Sequence, residues 1–306
     1  MARQQHNGLI SGSKLGGIGD QTMFESISRG WQLTKASFRV LKLDKEILLL
    51  PIMAGALTVL IWAAFLVPLE ITGAFESMNA LSGLGLLFVL YVLTYFAILF
   101  FNAAVIECAM IRFNGGDPVV KDGLRKAWSK KVRIFQWAII AGTVGLILKL
   151  LDALAREIDN PITEIIVRIM ISLVGAAWNI ATFFVMPILI YQDMGPGQAI
   201  KTSWTTWKRT WGESATASFT TGIIFFLLMI PAFIMIWLAA PAAFAGSVMG
   251  LVFLALGIVL VLGLSAMSSA VNGIVVAAIY KYSQDGRLPE IFESPTVPQT
   301  TAKAPF

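Results

Sequence analysis

The sequence predicts an all-α integral membrane protein with six transmembrane helices in three pseudo-repeats, each an interfacial amphipathic helix followed by a helix pair. Three observations carry this expectation. The chain is 57% hydrophobic and only 13% charged, with a mean hydropathy of +0.77, whereas a soluble domain is about 25% charged. Apolar runs of about 20 residues or more recur, each enough to cross a hydrocarbon core about 30 Å thick. The same order of features also comes three times: a tryptophan-bearing amphipathic stretch, an apolar span, and a second, longer span that ends in a Gly/Pro turn.

Taken in order, residues 1–22 are rich in Gly, Ser and Gln and read as a disordered cytoplasmic N-terminus. No short apolar segment with a small-residue cleavage site is present there, so the first span is the expected insertion signal. The stretch 24–41 places Phe24, Ile27, Trp31, Phe38 and Leu41 at helical spacing among Arg29, Lys35 and Arg39, the pattern of a helix lying in the membrane interface. The six spans are read as 47–69, 81–111, 134–151, 162–191, 215–239 and 244–280. The last is too long for an untilted crossing. All are helices, because backbone polar groups inside lipid must be satisfied within the segment and no alternating barrel strands are visible. Pro187, Pro231 and Pro241 are expected to kink their spans. The transmembrane domain covers 23–290, with repeats at about 24–116, 117–195 and 196–289, and 291–306 reads as a disordered cytoplasmic tail.

The second and third amphipathic stretches align residue by residue. Gly123-Leu124-Arg125-Lys126-Ala127-Trp128 lies 76 positions before Ala199-Ile200-Lys201-Thr202-Ser203-Trp204, and Ser26 to Trp31 is a looser copy. In the second stretch Asp117 suits a cap and Pro118 the first turn. Val120, Leu124, Trp128, Val132 and Phe135 share one face there. Trp31, Arg125, Lys126, Trp128, Lys130, Lys131, Arg133 and Trp204 are the candidate contacts to anionic lipid headgroups. Such helices either anchor and orient the spans or recognise a particular lipid or partner.

Positive charge sets the orientation. With the N-terminus in the cytoplasm, the cytoplasmic segments hold 7, 7, 3 and 3 of the 23 Lys and Arg residues, and the outer side keeps Lys149, Arg156 and Arg168. This is the positive-inside asymmetry, with both termini cytoplasmic and the plasma membrane as the expected location. The basic pI of about 9.3 follows from topology and lipid contact, and no nucleic-acid motif accompanies it. The outer loop bearing Asp152, Glu157, Asp159 and Glu164 reads as solvated, since it lacks the spacing of a calcium loop.

Within the spans, Glu107 is the most costly residue, because a charge at the bilayer centre costs about 2.5–3.5 kcal/mol on insertion scales. Either it has a structural partner on another repeat, expected to be Asn179 or Asn272, or it handles a proton or cation in a watery cavity. Asn102, Asn179 and Asn272 stand at matching places in the even-numbered spans. Asn102 and Asn272 each precede a turn glycine by 14 residues, and Asn179 precedes its own by 16. They are expected either to bond between helices or to ring a polar cavity near a pseudo-threefold axis.

The chain has one His (His6) and one Cys (Cys108). That excludes an ordinary zinc, haem or iron–sulfur ligand set and a Ser-His-Asp or Cys-His arrangement within the spans. There is no Walker A, dinucleotide or HExxH motif, so no cofactor and no metal are expected, and the protein reads as non-enzymatic.

The start of the membrane domain reads Trp31-x-Leu33-x-Lys35-x-Ser37-Phe38-Arg39-Val40-Leu41, then Asp44-Lys45-Glu46 and Pro51. It resembles a family of uncharacterised prokaryotic six-span membrane proteins. More distantly, the paired spans with intervening amphipathic helices are similar to the membrane domain attached to some glycerophosphodiester phosphodiesterases. The catalytic barrel of those enzymes has no counterpart in these residues, so the resemblance implies no phosphodiesterase activity.

The functional expectation is a membrane component that binds or moves lipid-like or small hydrophobic molecules, with membrane lipids as its partners. The competing expectation is a scaffold or regulatory subunit that docks a partner through its basic cytoplasmic face. A protein partner or homo-oligomer is left open. The charge asymmetry makes a direct prediction. A cysteine introduced as Lys126→Cys or Lys201→Cys, in a Cys108→Ala background, should resist an impermeant maleimide applied to intact cells and react after lysis. Labelling from outside would invert the topology.

Overall fold

The computed structural model describes residues 18–292, and every described element is helical. The chain runs α1 (Ile18–Leu43), a 3-10 turn (Lys45–Leu48), α2 (Leu49–Ile71), the short α3 (Ala74–Ser77), α4 (Ala80–Phe113), α5 (Val120–Ser129) and α6 (Lys131–Ala155). It continues with α7 (Pro161–Thr182), α8 (Val185–Tyr191), α9 (Pro196–Arg209), α10 (Trp211–Phe244), α11 (Val248–Asp285) and a final 3-10 turn (Glu290–Phe292). Six helical segments are long and apolar enough to cross a membrane, as the sequence predicts, and the chain reads as multi-pass. Backbone helix already covers 18–22, which the sequence assigned to a disordered start. Residues 1–17, the tail from 293 and the side chains of Phe24 and Ile27 lie outside the described residues.

α1, α5 and α9 all join spans on one side, here called the basic side. On the far side, α4, α7 and α11 each begin on a polar side chain that takes up otherwise unpaired amides. The Asn79 side chain accepts from the Ser82 N–H at 2.9 Å. Asn160 accepts from Ile162 and Thr163 at 3.0 and 3.2 Å, with Pro161 at the first helical position. Ser247 accepts from Gly250 at 3.3 Å. On the basic side α11 ends on Gly286, whose φ of +69° is the left-handed stop that glycine supplies.

The amphipathic helices pack on protein more than the sequence reading expected. α1 lies against α10 and α11. It buries Leu33, Thr34, Ala36, Ser37, Val40 and Leu41 and stacks Phe38 on Phe225 at 5.6 Å. α5 packs on α4, and α9 on α7 and α8. α5 starts at Val120, not at Pro118, and Asp117 does not cap it. Asp117 is occupied by the Arg112 guanidinium, and the Asp122 carboxylate accepts from the Val119 N–H instead. The helix also stops at Ser129, so Val132 and Phe135 belong to α6 rather than to the face of α5.

Of the three prolines expected to kink their spans, Pro231 and Pro241 lie inside α10, whose helix is continuous through both. Pro187 marks a break. The fourth span divides at Phe183 and Phe184, between α7 and α8. A proline at 187 donates no bond to the carbonyl four residues back and crowds it, and that residue is Phe183. Phe184 is fully buried, and its N–H donates to the buried Ser203 hydroxyl of α9 at 2.9 Å. Irregular backbone at membrane depth is tolerated where protein covers it in this way.

Burial is concentrated toward the basic side. It comprises Ala103–Ala104-Val105-Ile106 with Cys108 and Ala109 on α4, Val185 to Ile190 on α8, and Ala270 to Tyr280 of α11, except the exposed Asn272. Small residues bring these backbones close. A Cβ on Gly123 would sit 2.6 Å from the Ala104 carbonyl oxygen and 2.8 Å from Cys108 Sγ. The far-side stretches of α2, α7 and α10 present Leu60, Ile169 and Trp237 outward, as lipid-facing helices do. Gly123→Ala should therefore lower stability by about 1–3 kcal/mol, since the obstruction is backbone and cannot rotate away. Gly55→Ala, with open space around its Cβ position, should be neutral or slightly stabilising. Thermal unfolding in detergent measures both.

Candidate functional site: a polar intramembrane groove beside a clamped basic collar

Two polar clusters lie within or beside the spans. The first is built around Glu107. Its carboxylate accepts a hydrogen bond from the Tyr191 hydroxyl at the end of α8. Lys126 of α5 places Nζ 4.7 Å from the centre of the Tyr191 ring, a cation–π contact. Tyr191 stacks on Tyr280 at 6.2 Å, and the Gln192 amide donates to the Tyr280 hydroxyl at 3.0 Å. The Glu107–Tyr191 pair thus joins α4 to α8, and Tyr191 in turn meets α5 and α11. The expected partners, Asn179 and Asn272, are corrected to Tyr191: the basic-side packing brings the end of the broken span over α4, while both asparagines face elsewhere.

Around this cluster runs a collar of ion pairs. Arg112 donates from Nε to the buried Asp44 at 2.6 Å and also pairs with Asp117. Arg133 and Lys130 converge on Asp193 at 2.6 and 3.3 Å. Arg133 first, then Lys130, holds the Asp193 carboxyl below its ordinary value. Arg125 pairs with Asp122 at 2.8 Å. Lys131 lies 4.0 Å over the Trp128 ring. Trp31, Trp128 and Trp204 are all exposed, and Trp204 stacks on Trp207 at 5.9 Å. Of the candidate headgroup contacts, Lys126, Lys130 and Arg133 are thus turned inward onto protein partners, while Arg125 and Lys131 stay exposed.

The second cluster is a groove of about 700 Å³ between α7 and the α10–α11 pair, with Trp207 of α9 at its edge. α7 is held to α6, partly through the Trp137–Trp178 stack at 5.8 Å. No comparable packing joins α7 to α10 or α11, and the groove occupies that gap. Asn179, Ile180 and Phe183 line it from α7, Ser218, Thr221, Gly222 and Met229 from α10, and Ser265, Ser268, Ser269 and Asn272 from α11. The α11 residues share one face by helical spacing and cover about 10 Å of its length.

Among the described residues, none that lines the groove carries a charge at neutral pH. Thr221 bonds to Thr34 at 2.9 Å. The Ser218 hydroxyl is buried and has no hydrogen-bond partner. Asn179 and Asn272 are exposed along the groove. Asn102 is not part of it. It sits on α4 with Nδ2 3.7 Å from where a Gly273 Cβ would be, because α4 meets α11 without a gap. Among the described residues, no three His, Cys, Asp or Glu side chains come together to hold a metal.

Sequence reasoning missed Tyr191, Ser203 and the hydroxyl face of α11. The last had a readable signal, since 265, 268, 269 and 272 follow the i, i+3, i+4, i+7 pattern in an otherwise apolar span. The Glu107 contact predicts a graded mutant series. Glu107→Gln keeps an acceptor for the Tyr191 hydroxyl and should unfold close to the parent temperature. Glu107→Leu strands that hydroxyl and should cost about 1–3 kcal/mol. Equal melting of the two variants would remove the bond from any structural role.

The comparisons cover both clusters. The profile of a family of unknown function, DUF6159, matches residues 81–289, from the start of α4 to just past α11. No curated protein matches the chain. With more than half of its length matched, the chain belongs to the family of unknown function DUF6159.

Proposed function

We propose that this protein is a non-enzymatic membrane component that binds or moves lipid-like molecules through the groove between α7 and α10–α11. One observation carries the proposal. The groove presents the amides of Asn179 and Asn272 and the hydroxyls of Ser265 and Ser269 at membrane depth, exposed and open to whatever fills it. Unpaired polar groups away from water are costly, so a ligand or water that satisfies them is favoured there. The apolar residues Ile180, Phe183 and Met229 in the same groove suit the chain portion of an amphiphile. A largely apolar cleft with a few convergent polar groups is the usual form of a small-molecule site.

The pseudo-repeat fits this picture as scaffolding. Gly123 and Ala127 on α5 and Ala199 and Ser203 on α9 are buried at corresponding positions, and Trp128 and Trp204 are both exposed. The exposed Trp and Lys side chains of the collar are read as contacts to anionic headgroups on the cytoplasmic side. The scaffold alternative draws less support, because Arg112, Lys130, Arg133 and Lys281 are engaged in pairs within the chain.

A photoactivatable phospholipid analogue with its diazirine at the top of an acyl chain tests the reading in reconstituted vesicles. Crosslinks should fall on peptides containing Ile180, Met229 and Ser268, and the double variant Asn179→Leu/Asn272→Leu should lose them severalfold. Crosslinks spread evenly over α2, α7 and α10, and unchanged in the variant, would leave the groove as an unoccupied seam.

A further inference from the structure

We infer that the groove selects amphiphiles whose headgroup is uncharged and hydroxylated, of the glycosyl- or glycerol-bearing kind, over phosphate-bearing lipids. The inference rests on the proposal that the groove binds lipid-like molecules, and it adds the class of headgroup.

The lining chemistry supports it. Asn179 and Asn272 each offer amide donors and a carbonyl acceptor, and Ser265, Ser268 and Ser269 each offer a hydroxyl that does both. Hydroxyls, which donate and accept in turn, can use both the donors and the acceptors of such a lining. A phosphate offers acceptors and a full charge. Among the described residues no Lys, Arg or His lines the groove to meet that charge, and a charge held at depth without a counter-charge is disfavoured.

Space and contact surface agree. About 700 Å³ exceeds what a lone hydroxyl needs and admits a glycerol or a sugar ring together with the start of its chain. Phe183, only partly buried, supplies aromatic surface at the end of α7, where the C–H face of a sugar ring can lie. Among the described residues, cations that border the basic side lie outside the groove: Lys126 and Lys208 lie over Tyr191 and Trp204, and Lys130 and Arg133 hold Asp193. The exposed Arg125 and Lys131 give anionic lipids a place at the collar, and the groove is left to uncharged ones.

Native mass spectrometry on the full chain, released from nanodiscs with equal fractions of monoglucosyl-diacylglycerol and phosphatidylglycerol of identical acyl chains, tests this. The parent protein should retain the glucosyl lipid about tenfold better in the most tightly held copy. Asn179→Leu/Asn272→Leu should lose that preference while keeping phosphatidylglycerol bound at the collar. Ser268→Ala, a milder change, should show a partial loss, and unchanged thermal unfolding confirms that each variant is folded. Phosphatidylglycerol retained equally well, and lost equally in the groove variants, would overturn the headgroup assignment and leave the lipid groove standing. Retention of both lipids untouched by every groove variant would overturn the groove reading itself.

Discussion

Close approach of helix backbones at the basic end of α4 is the constraint on which the rest of the structure depends. Lipid tails are as apolar as leucine, so burying apolar surface gives little reason for helices to associate within a bilayer, and dense packing of small residues has to supply it. α4 provides Ala103, Ala104, Cys108 and Ala109 there, all buried. Gly123 lets α5 rest on the Ala104 carbonyl, and Gly273 lets α11 reach Val105. With α5 and α11 fixed, Lys126, Tyr191 and Tyr280 are carried onto one another, and Glu107 acquires its partner. The groove exists because α7 is outside this hub. It is tied to α6 and α9, and a seam remains between it and α10–α11.

The spans deal with polar groups in two opposed ways. Near the basic side nearly every one is paired: Glu107 with Tyr191, Arg112 with Asp44, and the Phe184 N–H with Ser203. Those pairs are partly or fully buried and tie α4 to α8 and to the turn after α1, and α9 to the break in the fourth span. Along the groove the groups are uncharged and left open toward whatever occupies it. Glu107 and the buried Asp44 thus each meet a fixed partner, and neutral hydrogen-bonding capacity is kept for the place where the protein leaves room.

Much of the architecture is legible in the sequence, because the crossing of a membrane is set by run length and hydropathy alone. All six spans lie where the apolar runs predict, with ends moved by a few residues: α6 begins at Lys131 rather than 134, and α11 at Val248 rather than 244. The break at Phe183 and Phe184 follows from Pro187. Partner choice was not legible. Asp117 reads as a cap by position but meets Arg112, since ion pairing outweighs capping once the chain folds back. Glu107 finds a tyrosine 84 residues away, and no local pattern encodes that. Matching the three asparagines by their distance to a glycine placed Asn102 with the other two. The structure separates it, because a stretch that packs flush against a neighbour and one that borders a gap can carry the same residue at the same register.

The broken fourth span bears on the order in which the chain is assembled. The Phe184 N–H depends on Ser203, which lies 19 residues downstream. Translation at about 5–20 residues per second delivers that partner roughly 1–4 seconds later. The acceptor that closes the break is thus made after the break itself, and the fourth span depends for its own backbone on the helix that follows it.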